Sequence, residues 1–125
     1  MIVNIGVDSV DIHRIEGLLQ RSGARFLARV FTAAEAAYCG QRGRPAASLA
    51  VRFAAKEAVM KCLGTGWALG IGFCDIEVVR AASGAVAITL HGAAQARALQ
   101  LGIRRVHLSL SHTDTVATAF AVAEG

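Results

Sequence analysis

Proline occurs once in 125 residues and no stretch is of low complexity. Nothing therefore marks a linker, and the sequence reads as a single domain over residues 1–125. The three cysteines, Cys39, Cys62 and Cys74, are odd in number, widely spaced and without a Cys-x-x-Cys pair. That excludes a disulfide framework and a thiolate zinc site, leaving them as small reduced hydrophobes. Aromatic residues make up only 6%, and no stacking strand of the kind RNA-binding domains use is present, which argues against a nucleic-acid partner. No apolar run approaches the ~18 residues that a membrane span requires. Met1-Ile2-Val3-Asn4 shows no basic leader, so a cytoplasmic protein with no membrane association is expected.

What is present is apolar and mildly basic: 54% hydrophobic residues, with 13 Lys+Arg against nine Asp+Glu for a net charge of +4. A chain this short leaves much apolar surface uncovered when it folds alone, so self-association is expected. The positive charge favours an acidic partner, either a phosphorylated cofactor or an acidic protein.

Local patterns give the elements. Ile2, Val3, Ile5 and Val7 predict a strand ending at Asp8, with Ser9 or Asp11 available to cap the helix that follows. In that helix Ile12, Ile15 and Leu19 form one stripe, and Arg14, Leu18, Arg21 and Arg25 form a basic one beside it. Thr32-Ala33-Ala34-Glu35 has the form of a capping box and opens a second helix toward Gly40. Pro45 suits the first turn of a third helix, and Gly64 its C-terminal cap, before a loop through Thr65 and Gly66. Strands over 71–79 and 85–91, with a turn at Ser83-Gly84, predict a hairpin. A helix over 93–101 precedes an alternating strand at 106–111 and its partner at 116–122. The class is α+β, with a largely antiparallel sheet packed with helices.

Chemistry is carried by two carboxylates and a lysine. Glu57 and Lys61, four residues apart, share a helix face with Phe53, and Asp8 stands at a strand end. Taken singly, Asp8 is an ordinary helix cap and Glu57–Lys61 a surface pair worth about 0.2–0.5 kcal/mol. Taken together they suit Mg²⁺, which commonly takes one or two protein carboxylates and completes its shell with water and substrate phosphates.

Gly6-Val7-Asp8 followed by Arg14-Ile15 resembles the first signature of the phosphopantetheinyl transferases. Arg52-Phe53-Ala54-Ala55-Lys56-Glu57-Ala58-Val59-Met60-Lys61, continued by Leu63-Gly64-Thr65-Gly66, resembles the second. Ser109-Leu110-Ser111-His112-Thr113 is similar to the third block of the short, single-domain holo-acyl-carrier-protein synthases. The three blocks stand in order across nearly the whole chain. The turn Ser83-Gly84-Ala85-Val86 departs from the family, which often places a basic residue and a proline after the glycine. Met60 and Cys62 also replace smaller residues.

The resemblance implies a 4'-phosphopantetheinyl transferase-like fold, a homotrimer with sites between subunits, and transfer from coenzyme A to a serine of an acyl carrier protein. It implies that Asp8 and Glu57 hold Mg²⁺ and that Lys61 meets the phosphate under attack. Arg44, Arg52, Lys61, Gly64, Thr65, Gly66 and His112 would contact the cofactor. Arg14, Leu18, Arg21 and Arg25 would dock the acidic carrier protein. The serine's proton could pass to Glu57 directly, to Glu57 through a metal-bound water, or to a carboxylate of the carrier protein. Two other readings compete: a different Mg²⁺-dependent phosphoryl or nucleotidyl transferase, and a small basic binding module without catalysis. The chain contains no Gly-x-x-x-x-Gly-Lys-Ser/Thr loop that would favour the first.

Overall fold

A computed structural model describes residues 1–64 and 70–125. In chain order the elements are β1 (Ile2–Asp11), α1 (Ile12–Val30), α2 (Ala33–Gly40), α3 (Pro45–Leu63), β2 (Ile76–Arg80), β3 (Val86–Leu90), α4 (Gly92–Leu101), β4 (Arg105–His112) and β5 (Val116–Glu124). Both sheets are antiparallel, one in the order β1-β5-β4 and the other a β2–β3 hairpin. The α+β class read from the sequence is therefore the one observed.

Small residues bring helix and sheet together. Ala117, Ala119, Ala121 and Ala123 on β5, and Ala50, Ala54, Ala55 and Ala58 on α3, are all fully buried. With so little side chain between them, α3 lies close against the sheet. Its other sides are covered by α1, α2, β2 and α4, so it is buried nearly all round rather than along one stripe. Lys56, at 0% exposure, is the largest fully buried side chain. Its Nζ donates to Glu35 Oε1 at 2.7 Å, to the Ile76 carbonyl at 2.6 Å and to the Phe73 carbonyl at 3.0 Å. Burial lowers the Lys56 pKa, against the opposing pull of Glu35. A buried charge needs such complete pairing, and here the pairing ties α3 to α2 and β2.

The local signals act as expected in α2 and α3. Thr32 and Glu35 close a reciprocal capping box, Pro45 opens α3, and Gly64 caps it at φ 71°. Three expectations need correction. First, β1 does not stop at Asp8; pairing with β5 carries it on to Asp11, opposite Val116, and Asp11 caps α1 by accepting from the His13 N–H at 3.0 Å. Second, the strand expected over 71–79 begins only at Ile76, because Phe73–Asp75 form a 3₁₀ turn in which the Asp75 carboxylate accepts from the Gly72 N–H at 3.1 Å. Third, α1 kinks at Ser22 (φ −144°, ψ 34°), a Ser-Gly pair of the kind that interrupts helices. The phase that set Arg25 below Arg21 does not carry across that kink.

Candidate active site

Gly6 decides how close β1 comes to α3. A Cβ at this position would overlap the Ala58 carbonyl oxygen and lie 3.1 Å from Lys61 Cβ. Only glycine allows the approach, which sets Asp8 beside the last two turns of α3. Lys61 Nζ donates to the Val7 carbonyl at 2.7 Å and to Asp8 Oδ1 at 3.3 Å. Glu57, one turn earlier, has its pKa raised, first by burial, then by the Asp8 charge and a side-chain hydrogen bond with Asp8. Arg14 and Lys61 act in the opposite direction. Asp8, Glu57 and Lys61 thus meet in space, and Arg14 joins them.

Arg14 also lies over the Phe53 ring at 5.9 Å. The sequence grouped it with the partner-binding stripe as well as with the block of Asp8, and in the fold its charge acts on Glu57. The signal available was its place in the same block as Asp8.

The chemistry of this donor set fits Mg²⁺. Two adjacent carboxylates that raise the proton affinity of one of them are a pair short of positive charge, and a hard divalent cation supplies it. Among the described residues no group of three or more metal-ligating side chains exists. Two carboxylates are as many protein ligands as Mg²⁺ commonly takes, its remaining partners being water and phosphate oxygens.

A second feature is a cleft of about 450 Å³, into which Arg44, Arg52 and His112 all face. Arg44 Nη1 donates to the Asp114 carbonyl at 2.7 Å, and its Nη2 lies 3.3 Å from Glu16 Oε1. His112 Nδ1 donates to the Thr113 carbonyl at 3.0 Å, which leaves Nε2 for a ligand. Sequence reasoning missed Tyr38, Arg42 and Arg80 in the lining; they are scattered along the chain, and no local pattern connects them. Asp8, Glu57 and Lys61 do not line this cleft. Arg52 and Glu57 are five residues apart on α3, about 7.5 Å along the axis and roughly 140° around it, so the two clusters occupy different faces.

Of the remaining expected residues, Gly64 caps α3 and is exposed, while Thr65 and Gly66 lie outside the described residues. Arg21 and Arg25 are exposed, and Leu18 is half-buried against the core. Among the described residues no helix is long and apolar enough to cross a membrane.

Comparison with known proteins places these features. Residues 4–121 match the 4'-phosphopantetheinyl transferase superfamily. The holo-[acyl-carrier-protein] synthase of Koribacter versatilis is 44% identical over 124 residues, 99% of each chain. The crystal structure of the Neisseria meningitidis holo-[acyl-carrier-protein] synthase superposes with a TM-score of 0.91 at 38% identity, over 100% of both chains. The Helicobacter pylori enzyme of the same name, crystallised in complex with coenzyme A, gives 0.85 at 31% identity, over 97% of this chain and 100% of its own. With the order of the sequence blocks, the fold and the full-length likeness in agreement, the chain belongs to the holo-[acyl-carrier-protein] synthases of the 4'-phosphopantetheinyl transferase superfamily.

Proposed function

We propose that this protein transfers the 4'-phosphopantetheine arm of coenzyme A to a serine of an apo-acyl carrier protein, releasing 3',5'-ADP, in the cytoplasmic route to fatty acids. The observation that carries the reading is the meeting of Asp8, Glu57, Lys61 and Arg14 where β1 crosses α3, in a chain whose relatives bear that activity in their names. The carrier serine oxygen attacks the β-phosphorus, and the bond to the bridging oxygen of 3',5'-ADP breaks. Negative charge spreads over the phosphoryl oxygens and the leaving group.

Lys61, half-exposed on a flexible stem, presents an ammonium group to those oxygens, and Arg14 adds a second positive charge to the same locus. Asp8 and Glu57 are the residues that would hold Mg²⁺, which when bound supplies Lewis-acid neutralisation of the pyrophosphate. The serine proton needs a carboxylate acceptor beside the attacking oxygen, and Glu57 or a carboxylate of the carrier protein fills that role. Arg44, Arg52 and His112 bind the nucleotide end of coenzyme A in the basic cleft. The exposed arginines of α1, Arg21 and Arg25, with Leu18 beside them, meet an acidic helix of the carrier protein.

The assembly is a homotrimer. Ile5, Val7 and Phe120 are 55%, 49% and 42% exposed on the sheet face turned away from α3, with Val7 opposite Phe120 and Ile5 opposite Val122. An apolar sheet face of this kind calls for a neighbouring copy. The separation of the acidic cluster from the cleft suits a site completed between subunits.

Mixing the protein with coenzyme A, Mg²⁺ and an apo carrier protein should give a carrier heavier by one phosphopantetheine group. Asp8→Ala and Glu57→Gln should each abolish that mass shift with an unchanged circular dichroism spectrum. An unmodified carrier with the unaltered protein, or normal transfer by either variant, overturns the assignment.

A further inference from the structure

Tyr38, on α2, carries three guanidinium groups against its ring. Arg52 stands 4.4 Å from the ring centre, Arg42 5.2 Å and Arg80 5.9 Å. They come from α3, from the connection between α2 and α3, and from β2. Like charges this close repel, yet among the described residues none of the three forms a salt bridge. Arg52 is 4% exposed; its Nη1 donates to Ser48 Oγ at 3.3 Å, and its Nε is buried without a partner. Arg80 is anchored by the Gly84 carbonyl at 3.0 Å. Asp114 is the one carboxylate among the residues lining the cleft, and it meets Arg44 through its backbone oxygen.

Holding arginines on an aromatic face differs chemically from holding them on carboxylates. A carboxylate would neutralise the guanidinium and occupy its donors, whereas a ring attracts the cation through its quadrupole and leaves the N–H edges open. Charge gathered in this way stays available, and a doubly charged phosphate monoester, with three acceptor oxygens, matches it.

We propose that Tyr38 is a positioning residue of the cleft: its ring assembles Arg42, Arg52 and Arg80 into one cation cluster that grips the 3'-phosphate of coenzyme A. This rests on the reading of the cleft as the site of the coenzyme's nucleotide end. The cluster sets the preference for a nucleotide carrying the 3'-phosphate over one without it.

The test is the ratio of affinities for 3',5'-ADP and 5'-AMP, measured by calorimetry on the full-length protein. Tyr38→Phe keeps the ring and should keep the ratio. Tyr38→Leu should lower it about tenfold, by weakening 3',5'-ADP far more than 5'-AMP. Tyr38→Met, an unbranched chain without a π face, gives the same answer if the leucine variant folds poorly. A general structural defect would weaken both ligands alike and leave the ratio standing. Arg44→Gln separates the two levels of the argument. If it weakens either nucleotide while Tyr38→Leu and Tyr38→Met leave the ratio unchanged, the role of Tyr38 is refuted and the cleft remains the nucleotide site. If Arg44→Gln binds both nucleotides as tightly as the unaltered protein and the Tyr38 variants keep the ratio, the reading of the cleft falls, and the proposal with it.

Discussion

Replacing Gly6 with alanine tests whether backbone contact between β1 and α3 builds the site. The added methyl would overlap the Ala58 carbonyl oxygen, and relief requires β1 to withdraw by roughly 1 Å. Helix α3 cannot yield instead, because Lys56 pins it to α2, to β2 and to the 3₁₀ turn before β2 through three hydrogen bonds. A withdrawal of that size stretches the 2.7 Å bond from Lys61 to the Val7 carbonyl beyond hydrogen-bond range. It also moves Asp8 away from Glu57. Overpacking of this kind costs about 1–3 kcal/mol of stability, and a 1 Å misplacement of catalytic groups costs about 10²-fold in rate. Gly6→Ala should therefore remain folded at 25 °C with a lowered urea midpoint, and should transfer phosphopantetheine about a hundredfold more slowly. Gly40→Ala, at an exposed glycine with nothing within 4 Å of a built Cβ, is the control and should lower neither. Turnover within a few-fold of normal in Gly6→Ala would show that the strand–helix contact does not set the geometry of the site.

On the proposed role of Lys61, whose ammonium group would meet charge that grows in the transition state, Lys61→Ala should lower kcat more than it weakens coenzyme A binding. A raised KM with unchanged kcat would reassign it to ground-state binding. The raised Glu57 pKa has a thermodynamic consequence in the absence of divalent cation. The folded state holds this proton to higher pH than the unfolded state, whose ordinary value is 4.5. The Glu57 contribution to stability therefore falls as pH rises from that value through the folded one. Urea midpoints of the wild-type protein and Glu57→Gln should diverge over this range, the variant becoming relatively more stable as pH increases; a constant difference refutes the linkage. Reversing charge at Arg21 and Arg25 together should raise KM for the carrier protein and blunt its salt dependence, with coenzyme A affinity unchanged. Unaltered carrier kinetics would mean that this end of α1 is plain solvated surface.

Much of the molecule could be read from the chain, wherever the cause is local. The Thr32–Glu35 box, Pro45 and Gly64 delimit α2 and α3 because capping depends on residues three or four apart. The alternation in β4 and β5 depends only on which side of a strand faces the core. Glu57 and Lys61 share a face by helical geometry alone. The kink at Ser22 left a trace in its Ser-Gly pair, and Arg14 left one in its place beside Asp8. Other features have no local cause. That Asp8 reaches Glu57 and Lys61, some fifty residues away, depends on Gly6 meeting the Ala58 carbonyl, a contact between two backbones that no residue pattern encodes. Lys56 sits in the same helical run as Lys61, yet one is sealed in the core and the other half-exposed, because only packing decides which sides of α3 are covered. Tyr38 gathers arginines from three separate segments, and their common location exists only once α2, α3 and β2 have packed. Backbone propensities are settled by near neighbours, whereas charge proximity and burial are properties of surfaces that the folded chain alone brings together.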